Sequence, residues 1–209
     1  MDVPTLDVEM ALRMQGHRFV AGLDEAGRGA WAGPVVAAAV ILPLDCPDLE
    51  HILAGVRDSK QLSPAAREAL FEVITRTAQG VGVGVSAPAA VDRDGIVPAT
   101  QRAMCQALAR LSPQAESLIL DHVRLPTIPL PQMAFPKADA HSLSVAAASI
   151  IAKVTRDRLM RLLDRRYPGY GFARHKGYGT AMHRTALAEL GASRIHRMSF
   201  APLRASPKS

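Results

Sequence analysis

The order of apolar and helical segments predicts an α/β fold: a strand pair, then helix, strand, helix, strand and a long helix, with a basic helical segment appended. Three observations carry this reading. Val35–Leu42 is apolar with little alternation, as a strand buried on both faces requires. Ser63 followed by Pro64 is an N-cap and first-turn pair that opens an amphipathic stretch. Glu116–Asp121 (ESLILD) is a short apolar run that ends in an acid, the pattern of a buried strand reaching a functional edge.

Residues 1–16 read as a loosely ordered leader, 17–166 as the main domain and 167–209 as a basic C-terminal helical segment. Phe19–Leu23 and Pro34–Leu42 are the first strands, with AGLDEAGRGAWAG between their cores. The helix opened by Ser63 runs through Thr77 and gathers Ala66, Leu70, Phe71 and Ile74 on one face. Gln79–Gly80 stops it. Val81, Val83 and Val85 then alternate with glycine in a strand that leaves room for close backbone approach. A helix is expected over Pro98–Leu111, followed by the strand over 116–121. Pro126, Pro129, Pro131 and Pro136 leave space only for a broken or edge strand in 122–138. A long helix spans Ser142 to Arg166, and Thr180 caps a last one, with Gly191 just past its end and mostly irregular chain beyond.

Composition excludes several classes. The 209 residues suffice for one domain with a sizeable core, and 48% hydrophobic with 21% charged residues fits a folded chain. Two cysteines, Cys46 and Cys105, cannot build a disulfide-dense scaffold or a four-thiolate zinc site. The segment MDVPTLDVEMALRMQGHRF does not resemble a signal peptide, and Val35–Leu42 and Val145–Ala152 are too short to span a bilayer. A cytoplasmic protein with no membrane association, acting as a monomer, is expected.

Charge is divided unevenly. Residues 153–209 carry 13 Lys or Arg against three acids, or +10, whereas residues 1–152 carry 12 against 16, or −4. A positive segment beside an acid-bearing body suits a polyanion held next to carboxylates; an Arg-rich helical surface without a ligand is the plainer alternative. Arg outnumbers Lys 20 to 5, which favours bidentate phosphate contacts.

The acids sit where chemistry is expected. Asp24 and Glu25 follow an apolar strand and precede Gly27-Arg28-Gly29, Asp121 ends another strand, and Asp139 stands just before the long helix. Carboxylates gathered at strand ends repel one another, and a divalent cation relieves that repulsion. Oxygen ligands without Cys or His favour Mg²⁺ or Mn²⁺, and two such ions can drive an in-line phosphoryl displacement. Separate use of these acids in caps, turns and ion pairs is the alternative. GLDEAGRG is neither a dinucleotide fingerprint nor a P-loop. Ser144 and Ser149 read as polar breaks in an Ala-rich helix face, since no nucleophile elbow surrounds either. His175, His183 and His196 lack a zinc-binding pattern.

The chain closely resembles the ribonuclease HII family in GLDEAGRGAWAGPVVAAAVIL (22–42), DSKQLS (58–63), ATQRAM (99–104), LILD (118–121), KADAHSLSVAAASIIAKVTRDRLM (137–160), YPGYGFARHKGYGT (167–180) and HRMSF (196–200). The resemblance implies a ribonuclease H-like mixed five-stranded sheet flanked by helices, with a small C-terminal helical segment. It implies a metal-dependent endoribonuclease that uses two Mg²⁺ or Mn²⁺ ions on RNA–DNA hybrids and on DNA duplexes containing ribonucleotides, leaving 3′-hydroxyl and 5′-phosphate ends. The metal acids then fall on Asp24, Glu25, Asp121 and Asp139, the ribose 2′-hydroxyl sensor on Gly27, Arg28 and Gly29, and the junction tyrosine on Tyr178. Lys60, Lys153, Arg156, Arg174, His175 and Lys176 are candidate phosphate contacts, with His175 and Lys176 alternatively ordering their own loop. Lys153 and Asp157 are also spaced to pair along the helix.

The chain departs from the family pattern at His122 and Val123 after Asp121, at Ala138 and His141 around Asp139, and at Gly95 before IVPAT. These changes bear on substrate grip and loop geometry rather than on the carboxylates. Two rival readings are a duplex-binding module without catalysis, which loss of one of the four acids would favour, and a nuclease of plain DNA, which would lack the AGRG sensor.

Overall fold

The computed structural model describes residues 3–204; Met1, Asp2 and residues 205–209, parts of the two terminal segments delimited above, lie outside the described residues. In chain order it contains α1 (Asp7–Met14), β1 (Val20–Ala26), β2 (Val35–Ile41), α2 (Leu49–Ile52), α3 (Pro64–Thr77), β3 (Gly80–Ser86), α4 (Pro88–Asp94) and α5 (Ile96–Ala109). Then follow β4 (Ser117–Asp121), β5 (Gln132–Phe135), α6 (Leu143–Arg166), α7 (Phe172–His175), α8 (Ala181–Leu190) and α9 (Ala201–Arg204). The strands make one five-stranded sheet in the order β3-β2-β1-β4-β5. β1, β2 and β3 pair antiparallel, while β4 joins β1, and β5 joins β4, in parallel. The expected α/β fold with a mixed five-stranded sheet is therefore observed.

β2 is buried at every position, which explains its unbroken apolar run. Ala37, Ala39 and Ile41 pack with Ala103, Met104 and Ala107 of α5, whereas Ala38 and Val40 pack with Ile74 of α3 and Ala146–Ala148 of α6. Small residues let the helices approach closely: a Cβ on Gly84 of β3 would collide with the Ala103 carbonyl of α5. The expected caps are in place. Ser63 Oγ accepts from Ala66 N–H at 3.1 Å, Ser142 Oγ from Val145 N–H at 3.2 Å and Thr180 Oγ1 from His183 N–H at 3.3 Å. β5 takes the edge, as the prolines around it require.

Two expectations need correction. The leader is not loose: Glu9 in α1 is fully buried, and its Oε1 accepts from Ser142 Oγ at 2.6 Å, Ser144 N–H at 2.8 Å and Ser144 Oγ at 2.6 Å. Leu143 N–H also donates to the Thr5 carbonyl at 2.9 Å. A carboxylate at the start of α6 meets unpaired amides and the positive end of the helix dipole, so α1 is held in place. The second correction concerns the helix expected from Pro98. α5 begins at Ile96, because its first turn has no N–H partners for a proline to disrupt, and a separate α4 precedes it. Gly95, at φ +88°, makes the turn between the two helices.

Candidate active site

β1 and β4 lie side by side and parallel, with Leu23 opposite Leu120, so Asp24 and Asp121 are the next residues along adjacent strands. Neighbouring strands run roughly 4.8 Å apart, which brings the two carboxylates together toward the C-terminal ends of these central strands. Asp121 Oδ1 accepts from Ala138 N–H at 3.2 Å and thereby draws in the one-turn 3₁₀ helix Ala138–Ala140, which carries Asp139. Lys137 opens that turn in the left-handed region at φ +58°. His122, one of the departures from the family pattern, also adopts the left-handed region, at φ +63°, a conformation that glycine takes without steric cost.

Asp24 and Asp139 are each only 8% exposed. Burial, then the neighbouring Glu25, Asp121 and Asp139, push the Asp24 carboxyl well above the usual carboxylate range. Burial also raises Glu25, against the pull of Arg28, whose Nη1 lies 3.2 Å from Glu25 Oε1. Asp139 is raised by burial and then by Asp58 and Asp121. Burial depresses Lys60, but Asp58, Asp24, Asp139 and Asp121 together carry it above its ordinary value. Asp58 is the acid of this cluster to which sequence reasoning assigned no role, although it stands in the DSKQLS stretch.

A cleft of about 610 Å³ is lined by Asp24, Glu25, Gly27, Arg28, Gly29, Lys60, Lys153 and Tyr178, among others. A second, of about 450 Å³, is lined by Asp58, Lys60, Asp121, Lys137 and Asp139, so Lys60 belongs to both walls. The donor set fits a hard cation. It is all carboxylate oxygen, its acids resist shared ionisation, and Glu25 Oε2 is buried without a hydrogen-bond partner. Among the described residues no three ligating side chains converge into a ready-made cage. Mg²⁺ needs no such cage, since it takes one or two carboxylates and fills its shell with water and substrate phosphate.

The turn after β1 is braced from within. Gly27 has φ +94°, and a Cβ there would run into the Arg156 side chain; a Cβ on Gly29 would meet nothing within 4 Å. Arg156 is fully buried and donates to the carbonyls of Pro34, Ala32 and Lys176 at 2.9, 3.2 and 3.0 Å. Arg197, also fully buried, donates to the Arg28 carbonyl at 2.8 Å and twice to the Gly33 carbonyl, at 3.1 and 2.9 Å. Burial, then the nearby Arg156, lowers the Arg197 guanidinium to about 10. Trp31 N–H donates to the Gly177 carbonyl at 2.8 Å, joining this turn to the loop that carries Tyr178.

These contacts revise the phosphate candidates. Arg156 does not face a phosphate surface, because its nitrogens are sealed against backbone carbonyls. His175 is buried, with Nε2 at 2.7 Å from the Tyr170 carbonyl and Nδ1 accepting from Gly177 N–H at 3.1 Å. Lys176 is half-buried and donates to the Ala173 carbonyl, so both residues order their own loop. Arg174 is exposed, and Lys60 and Lys153 line the cleft. Lys153 Nζ pairs with Asp157 at 2.8 Å, as the spacing predicts. Sequence reasoning missed Arg197, for which HRMSF was the available signal, and Glu9, which had none.

Comparison with known proteins places the chain in a family. The family model described as ribonuclease HII matches residues 21–203. A ribonuclease HII of Chloroflexus aurantiacus is 54% identical over 201 residues, covering 96% of this chain and 95% of that protein. One from Roseiflexus castenholzii is 54% identical over 200 residues, covering 96% and 89%. The crystal structure of ribonuclease H2 from Pyrococcus horikoshii OT3 superposes with a TM-score of 0.75 at 29% identity, covering 89% of this chain and 95% of that one. With the family model spanning nearly the whole chain, this protein belongs to the ribonuclease HII family, the divalent-metal-dependent endoribonucleases that cut the RNA strand of RNA–DNA hybrids and cut at ribonucleotides embedded in DNA.

Proposed function

We propose that Asp24, Glu25, Asp121 and Asp139 hold the divalent ions of this reaction, and that Gly27, Arg28, Gly29 and Tyr178 read the ribose beside them. The observation that carries the reading is one shared wall: Asp24, Glu25, the three residues of the turn and Tyr178 line the same cleft. When bound, the ions supply the Lewis acidity that activates water and stabilises the leaving oxygen in an in-line displacement at phosphorus. Arg28 occupies Glu25 Oε1 and leaves Oε2 without a partner inside the protein. Lys60 and Lys153 place positive charge on the cleft wall, where a scissile phosphate would lie. The attack falls on the 5′ side of a ribonucleotide and leaves 3′-hydroxyl and 5′-phosphate ends.

Arg156 and Arg197 serve this reading by fixing the carbonyls of residues 28 and 32–34, which makes the sensor turn rigid before substrate arrives. Residues 167–204 act as the substrate-binding segment, with exposed Arg174 as a phosphate contact. Among the described residues no helix is long and apolar enough to cross a membrane. Action as a monomer and a cytoplasmic location complete the reading, and both suit a duplex substrate. The test is metal-dependent cleavage by Asp24→Asn and Asp121→Asn. Each should lose at least about hundredfold in turnover. Wild-type turnover in either, at unchanged metal concentration, contradicts the assignment.

A further inference from the structure

Three histidines of the C-terminal segment have no part in the chemistry above, yet they converge on the backbone of Tyr178. His183 and His196 are buried with their Nε2 atoms 3.0 Å apart. The fixed groups at either end of this pair set its proton positions. Ser193 N–H donates to His196 Nδ1 at 2.8 Å, and a ring nitrogen that accepts carries no proton, so His196 holds its proton on Nε2. That proton points at His183 Nε2, which must accept it. His183 then keeps its own proton on Nδ1, 3.0 Å from the Tyr178 carbonyl, an oxygen that can only accept.

The surroundings favour neutral rings. His175 stacks on His183 with centroids 4.5 Å apart, and its own carbonyl accepts from Tyr178 N–H at 3.0 Å. Phe172 packs edge-on against both His175 and His183. Cations of this region are engaged by other groups: Arg184 donates to the Gly179 carbonyl and lies over Trp31, Lys176 donates to the Ala173 carbonyl, and Arg197 donates to the Gly33 and Arg28 carbonyls. Burial, then the neighbouring His183, lowers His196 to about 4, and burial lowers His183 as well.

We propose that His183 and His196 are positioning residues for ribonucleotide recognition: a hydrogen-bond relay running from Ser193 through both rings fixes the Tyr178 carbonyl, and with it the tyrosine ring in the cleft beside Asp24 and Glu25. The inference rests on the reading of Tyr178 as the junction-sensing ring. It makes His183 act through the peptide of Tyr178 and not on the substrate.

Two measurements on the full chain test it. Nitrogen-15 NMR of histidine-labelled wild type at pH 7 should find His183 protonated on Nδ1 and His196 on Nε2. His183 protonated on Nε2, His196 on Nδ1 facing the Ser193 carbonyl, or either ring as imidazolium would overturn the relay. The second measurement compares His183→Asn, whose amide nitrogen can replace Nδ1 toward Tyr178, with His183→Gln, whose amide reaches toward His196 and leaves the Tyr178 carbonyl without its donor. On a duplex carrying one ribonucleotide, kcat/KM of H183Q should fall about three- to tenfold below that of H183N, the worth of one neutral hydrogen bond. Affinity for all-DNA duplex and the melting temperature should differ little between the two. Equal kcat/KM in the pair would overturn the proposal, because a merely packed ring is lost alike in both. Tyr178→Ala is the companion variant: if it cuts the lone ribonucleotide as wild type does, the reading of Tyr178 itself fails, whatever the tautomers are.

Discussion

Asp24 concentrates the opposing demands on this site. Its carboxyl is pushed up by burial and by Glu25, so it holds a proton more tightly in the folded chain than in the unfolded one. In the ion-free protein the folded state therefore binds the extra proton, and the stability linked to Asp24 is greatest below the ordinary carboxylate range and lost as pH rises through the raised value. Asp24→Asn removes that penalty. Ion-free D24N should melt with wild type at pH near 4 and about 2–4 °C above it at pH 8, even though its cleavage is lost. A melting temperature at pH 8 below that of wild type would contradict the electrostatic account. Gly27 and Gly29 offer a second contrast, for the same residue type does different work two positions apart. Gly27→Ala meets the Arg156 side chain from a left-handed backbone and should destabilise the fold by about 2 kcal/mol or more. Gly29→Ala meets open space, so its melting temperature should stay within about 1 °C while cleavage of a lone ribonucleotide falls. If metal affinity is normal and that cleavage is unchanged, the turn does not sense the sugar.

At the scale of elements, the site hangs on ties between segments far apart in sequence. Glu9 reaches Ser142 across 133 residues and holds the start of α6, immediately after the turn that carries Asp139. Glu9→Ala leaves the Ser142 and Ser144 hydroxyls and an amide without their shared acceptor, and should cost about 2–4 kcal/mol in urea unfolding. A loss under about 0.5 kcal/mol would mean α1 is as dispensable as a loose leader. The strands and caps were legible in the sequence because their signals are local: an unbroken apolar run for β2, Ser63-Pro64 for α3 and Thr180 for α8. The placement of the four acids, toward the ends of β1 and β4 and just before α6, was legible in the same way. Glu9 was illegible because nothing near it in an acidic leader announces a partner so distant. Arg156 and Arg197 were illegible for a related reason: a guanidinium sealed against carbonyls and one facing solvent count alike in a charge sum, and only tertiary packing separates them.

For the whole molecule, the sheet supplies Asp24, Glu25 and Asp121, Lys60 and, from α6, Lys153 put positive charge on the cleft wall, and the braced turn between β1 and β2 ties the sheet to the C-terminal segment. Removing buried Arg156 and Arg197 from the +10 segment still leaves it strongly basic, with Arg165, Arg174 and Arg184 exposed. Duplex affinity should therefore fall steeply with salt, and replacing Arg165, Arg174 and Arg184 together by Ala should flatten the plot of log K against log salt, by about 0.9 for each phosphate no longer neutralised. An unchanged slope would move the duplex to another face. Asp24 and Glu25 of the proposed metal-holding acids share one cleft with the proposed ribose-sensing turn, and Asp121 and Asp139 line a second cleft that shares Lys60 with it. The most direct test is single-turnover cleavage of matched duplexes carrying zero, one or four ribonucleotides, with Mg²⁺ and with Mn²⁺, by wild type and by Asp121→Asn. The expected result is no cut in the all-DNA duplex, a metal-dependent cut on the 5′ side of the lone ribonucleotide, and loss of that cut in D121N. Comparable cutting of the all-DNA duplex, or an undiminished cut by D121N, would contradict it.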